Sequence, residues 1–189
     1  MIDSSILPLR AGHVILRPLE NRDAEAFPGG TDDPLVQEYG HLPEPNYSTA
    51  SVTTMINEEA TPGLMRADLA VLAIADSNDD FAGSLVLFNV TADEAEVGFW
   101  LHPEFRGAGM STTAVELAAQ LAVRSGMVRL FARTAVENVT SQRVLAQAGF
   151  EKINRSSGIA PSGEKLSLVS FQRHLKSLVN NVCDVSGLG

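Results

Sequence analysis

The chain has 189 residues, 44 % of them hydrophobic, enough for one domain with a full core. Its formal net charge of −9 repels phosphate backbones and argues against a nucleic-acid partner; it can attract cationic partners or serve solubility alone. There is no long uncharged apolar run to span a membrane, and the single cysteine, Cys183, excludes an internal disulfide and a cysteine-built zinc site. The start, Met1-Ile2-Asp3-Ser4-Ser5, has no basic and then apolar segment of the secretory kind, so a cytoplasmic protein is expected.

His13 to Leu19 alternates and reads as a first strand. A short helix is expected from Asn21, capped by Asn21 or Asp23 and stopped by Pro28-Gly29-Gly30. Residues 28–48, with four prolines, read as an irregular loop long enough to have a binding role. Ser48 or Ser51 caps a helix running toward Thr61-Pro62-Gly63. Leu69–Ala75, Phe81–Val90 and Glu94–Leu101 are three strands in succession, an antiparallel meander. A glycine-rich loop leads into a helix from about Met110 to Ser125, with Gly126 as its terminator. Then follow a strand over Val128–Thr134, a short helix over Ser141–Ala148 closed by Gly149, a strand from Phe150 and a last strand near Leu166–Phe171. Strands that first run consecutively and later alternate with helices give a mixed α/β (α+β) domain, mostly antiparallel, with one parallel pair beside the helix of residues 110–125. One domain over residues 1–175 and a tail over 176–189 are expected.

The stretch Glu96-Val97-Gly98-Phe99-Trp100-Leu101-His102-Pro103-Glu104-Phe105-Arg106-Gly107-Ala108-Gly109-Met110-Ser111-Thr112 ends a strand and passes small residues straight into a helix. Gly107 and Gly109 clear space for a ligand to approach the backbone. The first helical turn has N–H groups without partners, and with the helix dipole they form an anion site suited to a pyrophosphate. A P-loop would need G-x-x-x-x-G-K-S/T, and no lysine follows the glycines. A dinucleotide fingerprint would need glycine where Thr112 stands. An ordinary glycine-rich turn is the remaining structural alternative.

Arg106 to Ser111, R-G-A-G-M-S, resembles the Q/R-x-x-G-x-G/A signature of the GNAT superfamily of N-acetyltransferases, with Ser111 where Gly or Ala is usual. Asn138 to Phe150 is similar to the family's N-x-x-S-x-x-L/V-x-x-x-x-G-F segment, at the matching distance downstream. L-R-P-L-E at Leu16–Glu20 and E-V-G-F-W at Glu96–Trp100 resemble the branch of ribosomal-protein N-terminal (RimJ/RimL-like) acetyltransferases. The resemblance implies a GNAT fold, a sheet of six to seven strands with helices on both faces and a splayed parallel strand pair at the cofactor site. It implies acetyl-CoA as cosubstrate, an amine acceptor that is a protein N-terminus or small cationic molecule, and often a homodimer. It places pantetheine along Phe99, Trp100 and Leu101. Pyrophosphate falls on Gly107, Ala108, Gly109, Met110, Ser111 and Thr112 after Arg106, with Asn138 near the pantetheine arm and Ser141 near the thiol.

The amine must attack in its neutral form: a lysine-like amine, with pKa near 10.4, needs a base, an α-amine near 7.7–8.0 less so. A free backbone N–H at Trp100 or Leu101 is the expected oxyanion donor. Glu96 shares a strand face with Gly98 and Trp100 and is the candidate base, against the alternative of a solvent-facing or ion-paired strand glutamate. Relatives place a tyrosine near the thiol as acid; with only Tyr39 and Tyr47, both far upstream, the acid role falls to Ser141 or a water. Asn138 as a simple helix cap and Trp100 as a core residue are the structural alternatives. Tyr39, His41 and Tyr47 are expected near the acceptor. His13, His41, His102 and His174 have no metal spacing, so no metal is expected. A non-catalytic acyl-CoA-binding sensor is the alternative function.

Overall fold

The computed structural model describes residues 1–40, 42–159 and 165–175; His41, Cys183 and the proposed tail lie outside the described residues. A hairpin opens the chain: β1 (Leu9–Ala11) turns at Gly12, φ +55°, into β2 (Val14–Pro18). A 3-10 turn at Asn21–Ala24 follows, capped by Glu20, whose backbone N–H donates to Asp23. The cap thus falls at Glu20, one residue before Asn21 and three before Asp23, the two positions expected.

The segment 28–48 is not irregular throughout. It contains two short helices, α1 (Phe27–Thr31) and α2 (Pro34–Tyr39), each with proline in its first turn, where the missing N–H costs nothing. Pro28-Gly29-Gly30 therefore lies inside α1 rather than ending a helix. The reason is tertiary: Gly30 is buried against the indole of Trp100, where a Cβ would collide with the ring. Ser48 caps α3 (Thr49–Met55) in a reciprocal capping box with Ser51. The helix then widens into one π turn, Ile56–Ala60, and continues as α4 (Thr61–Arg66). Thr61-Pro62-Gly63 thus starts a new helical segment; the chain leaves it at Ala67, in the left-handed region at φ +63°.

The meander is as expected: β3 (Ala70–Ala75), β4 (Phe81–Phe88) and β5 (Glu94–Leu101) pair antiparallel in turn. Helix α5 (Met110–Arg124) ends at Ser125, with Gly126 at φ +84° taking up the terminating conformation. Strand β6 (Arg129–Ala135), helix α6 (Val139–Gln147), β7 (Glu151–Ile159) and β8 (Lys165–His174) complete the described chain. The sheet has eight strands in the order β1-β2-β3-β4-β5-β6-β8-β7, one more than the upper count expected, because the three-residue β1 adds an edge. Only β5 and β6 run parallel among the paired strands.

Strand alternation sorts the core into two layers. Leu72, Ile74, Leu85, Leu87, Val97 and Leu101 point to one face, where α5 presents Val115, Leu117 and Leu121 with small alanines between. Ala73, Phe81 and Trp100 point to the other, toward Phe27, Val36, Val52 and Ile56 of the N-terminal helices. At the corner beside the second layer, buried Arg17 of β2 forms a bidentate pair with buried Asp23, at 2.7 and 2.8 Å. Its Nε also donates to Asp79 in the β3–β4 turn, at 2.6 Å. Arg22 reaches the same Asp79 at 2.7 Å. These ion pairs tie three separate chain segments into one corner.

Candidate active site

The parallel pair sets the geometry of the site. β5 and β6 are in register only from Glu94 opposite Arg129 to Glu96 opposite Phe131. Both strands continue, to Leu101 and Ala135, without pairing, so they diverge into a V. On the other side of β5 the His102 N–H donates to the Ala82 carbonyl at 2.8 Å, which fixes the phase of the antiparallel ladder. Gly98 and Trp100 share that phase and turn their backbone groups to β4. Those of Phe99 and Leu101 face the gap. Of the two N–H donors expected, Leu101 is the one turned into the V and Trp100 the one turned away.

The glycine-rich loop lies at the mouth of this V. Gly107 and Gly109 have φ of +88° and +76°, a region costly for any side chain, and a Cβ on either would meet open space. Gly109 is the N-cap of α5 and offers no side chain. The first helical bond runs from the Thr113 N–H to the Gly109 carbonyl. The backbone N–H groups from Gly107 through Thr112 have no protein partner among the described residues. Six consecutive free donors at the positive end of a 15-residue helix make an anion cradle. Arg106, at the head of the motif, turns its guanidinium away from that cradle. Its Nη2 donates to Asp33 at 2.6 Å and to the Leu101 carbonyl at 3.1 Å.

A cleft of about 380 Å³ opens beside the V. Phe99, Trp100 and Leu101 line its floor, Asn138 and Ser141 one wall, and Leu35, Val36 and Tyr39 of α2 the opposite wall. Asn138 caps α6, its Oδ1 accepting from the Ser141 N–H at 3.0 Å; the capping alternative therefore holds for that oxygen, while its amide Nδ2 has no partner among the described residues. The Ser141 hydroxyl likewise has no partner among the described residues. Trp100 is both core and wall: it is 8 % exposed, packs edge-on against Phe27 and Phe81, and still touches the cleft.

Tyr39 changes the expected cast. Expected near the acceptor but too far upstream to serve the thiol, it is brought by the turn of the chain through α1 and α2 into the cleft with Ser141. The neighbouring Glu38 carboxylate, then partial burial and the charge of Glu137, push its phenol above the ordinary value and make it a weaker acid than a free tyrosine. Tyr47 is instead part of the aromatic core beside Phe27, ring centroids 5.2 Å apart.

Glu96 lies beside the cleft, in a separate depression of about 260 Å³ with Asn89, Phe131 and Arg133. Its Oε1 accepts from Arg133 Nε at 2.7 Å, and its Oε2 accepts from Arg133 Nη2 at 3.1 Å and from Asn89 at 3.2 Å. The pair raises the Arg133 guanidinium further above its ordinary value. Of the two roles open to this strand glutamate, the ion-paired one describes its position. Among the described residues no group of three histidine, cysteine or carboxylate side chains is placed to hold a metal ion. No described helix is long and apolar enough to cross a membrane.

No curated protein matches the sequence significantly. Solved structures share the fold at low identity. A probable acetyltransferase superposes with a TM-score of 0.78 at 21 % identity, covering 88 % of this chain and 96 % of that one. RimL, a ribosomal L7/L12 alpha-N-protein acetyltransferase in complex with coenzyme A, gives 0.77 at 17 %, covering 87 % and 96 %. Spermidine N-acetyltransferase from Vibrio cholerae, in complex with CoA and spermine, gives 0.74 at 17 %, covering 86 % and 96 %. The profile of the acetyltransferase (GNAT) domain matches residues 13–151, from β2 through the V and the cradle to the start of β7, and the chain belongs to that family.

Proposed function

We propose that this protein moves the acetyl group of acetyl-CoA to a primary amine by direct attack. One observation carries the reading: the unpaired end of β5 lines a cleft that also takes in Ser111, at the start of α5, where six consecutive backbone N–H groups from Gly107 to Thr112 lack a protein partner among the described residues. Gly107 to Thr112 would hold the pyrophosphate, Phe99 to Leu101 and the Asn138 amide the pantetheine arm, and Ser141 would lie near the sulfur. Acetyl-CoA supplies an activated acyl group on a thiol that leaves readily, its pKa near 8.5. The chain's own task is then to align the amine and to stabilise charge. The Leu101 N–H, turned into the V, is the donor for the developing oxyanion. Tyr39 and Ser141 each bring a hydroxyl to the cleft and are the hydrogen-bond donors assigned to the departing sulfur.

Glu96 retains the base role only through water, since three of its roughly four acceptor positions are occupied. An α-amine, needing the least help, suits that arrangement. The net charge of −9 supports a cationic acceptor, and the structural neighbours include one named for a protein α-amine and one for a polyamine. A cytoplasmic site of action belongs to the same proposal. The occupied Glu96 also favours a second reading, an acyl-CoA sensor without turnover.

The test is thiol release from acetyl-CoA with N-terminal peptides, polyamines and amino acids as acceptors, and CoA binding measured alongside. Turnover with one amine class is the expected result. Binding without turnover on any amine supports the sensor, and no binding overturns both readings.

A further inference from the structure

Asp33 takes part in no step of the proposed reaction and does not line the cleft, yet it sits at a junction. It is the N-cap of α2, its Oδ1 accepting from the Val36 N–H at 3.2 Å. The same oxygen accepts from Arg106 at 2.6 Å. Its side chain is only 14 % exposed, while that of Arg106 is 35 % exposed, so the carboxylate side of the pair is the sheltered one. The Arg106 guanidinium in turn holds the Leu101 carbonyl at the free end of β5. One carboxylate and one guanidinium therefore connect the end of the splayed strand, the anion cradle and the first turn of the helix that bears Leu35, Val36 and Tyr39. Helix α2 has six residues, too few to hold its own place, since isolated helices this short are unstable. It does pack Val36 into the second core layer. The rest of its wall, including half-exposed Leu35, projects over the cleft.

The geometry points to Asp33 as a positioning residue that couples occupancy of the cofactor cradle to the placement of the acceptor wall. This rests on the proposed binding of CoA at Gly107–Thr112. An anion on those N–H groups orders the loop that begins at Arg106. Ordering Arg106 fixes its partner Asp33, and with it the start of α2. The acceptor wall is then set only when the cofactor loop is filled, which favours cofactor before amine. Arg106 serves this coupling through its side chain, while its backbone leads into the cradle. Arg106 also raises no competition for the phosphate charge, because Asp33 already neutralises it; burial opposes but does not cancel the lowering of the Asp33 carboxyl by Arg106.

Hydrogen exchange of the full chain, read by mass spectrometry with and without coenzyme A, tests the coupling. Asp33→Asn keeps an acceptor oxygen for the Val36 N–H and removes only the charge. In the wild type, saturating CoA is expected to slow exchange over residues 33–40 by about five-fold or more. In Asp33→Asn the slowing over 33–40 is expected to fall below about two-fold, while residues 107–113 are still protected and CoA binds within about three-fold of wild type. Arg106→Gln, and the double variant, should match Asp33→Asn over 33–40, since both remove the same link. Protection of 33–40 that survives in Asp33→Asn overturns the inference. So does wild type in which CoA protects 107–113 and leaves 33–40 unchanged. Absence of any CoA protection at 107–113 overturns the cofactor reading itself, a distinct failure.

Discussion

Tyr39 and Glu96 show how a residue's neighbours decide its chemistry. A phenol beside two carboxylates is a weaker acid than a free one, so the part left to Tyr39 at a departing thiolate is a hydrogen bond rather than full proton transfer. Tyr39→Phe is therefore expected to lower kcat by about ten-fold or more, with CoA binding unchanged, in the thiol-release assay. An unchanged kcat would assign that hydrogen bond to Ser141 or water. The loop from Gly107 to the start of α5 and the Asn138 cap of α6 were legible in the sequence because they come from local backbone, a glycine conformation or a helix cap. Tyr39 was not, because its role comes from a fold of the chain that no local pattern records. Glu96 was half legible: alternation put it on the right face of β5, but its partner Arg133 lies 37 positions away on the neighbouring strand.

Among the elements, the helices between β2 and β3 were read least well, and β3 to β6 best. The meander strands are long, alternating and bounded by Asp- and Asn-rich turns, so period and punctuation agree. In α1 they disagree: Pro-Gly-Gly reads as a stop, whereas packing on Trp100 demands residues without bulk. Gly30 is where that demand is strictest, since a Cβ there would run into the indole ring. Gly30→Ala is expected to cost about 1–3 kcal/mol, as overpacking in a tight core does. Urea denaturation measures that loss, and the fluorescence of Trp100, the one tryptophan, should shift in the folded state as α1 moves off it. A silent substitution would mean that α1 lifts freely and that the aromatic layer does not fix the cleft's outer wall.

Over the whole molecule, charge is both abundant and sorted. The ion pairs around Arg17 join β2, the 3-10 turn and the β3–β4 turn, and the L-R-P-L-E string singled out in the sequence supplies two of their members, Arg17 and Glu20. Hydrogen bonds from Arg17 and Arg22 hold the Asp79 carboxyl below its ordinary 3.8. A carboxylate lowered on folding stabilises the native state fully above its unfolded value and loses that contribution as pH falls through the folded one. The melting temperature of wild type should therefore exceed that of Asp79→Asn at pH 7. The gap should close as the pH is taken from 4 toward 2. A gap that persists undiminished at pH 2 would show that Asp79 acts through its turn conformation, φ +70°, and not through charge.

The three registered pairs between β5 and β6 have a last consequence. Every other strand neighbour in the sheet is antiparallel, so the one eight-stranded sheet is made of two antiparallel sets, β1 to β5 and β6 to β8, joined along one short parallel seam and covered by α5. The cleft opens where the stitching stops, and its lining comes from both halves: Tyr39, Phe99 and Leu101 from the first, Asn138 and Ser141 from the second. Whatever occupies the cleft therefore acts as the missing stitches.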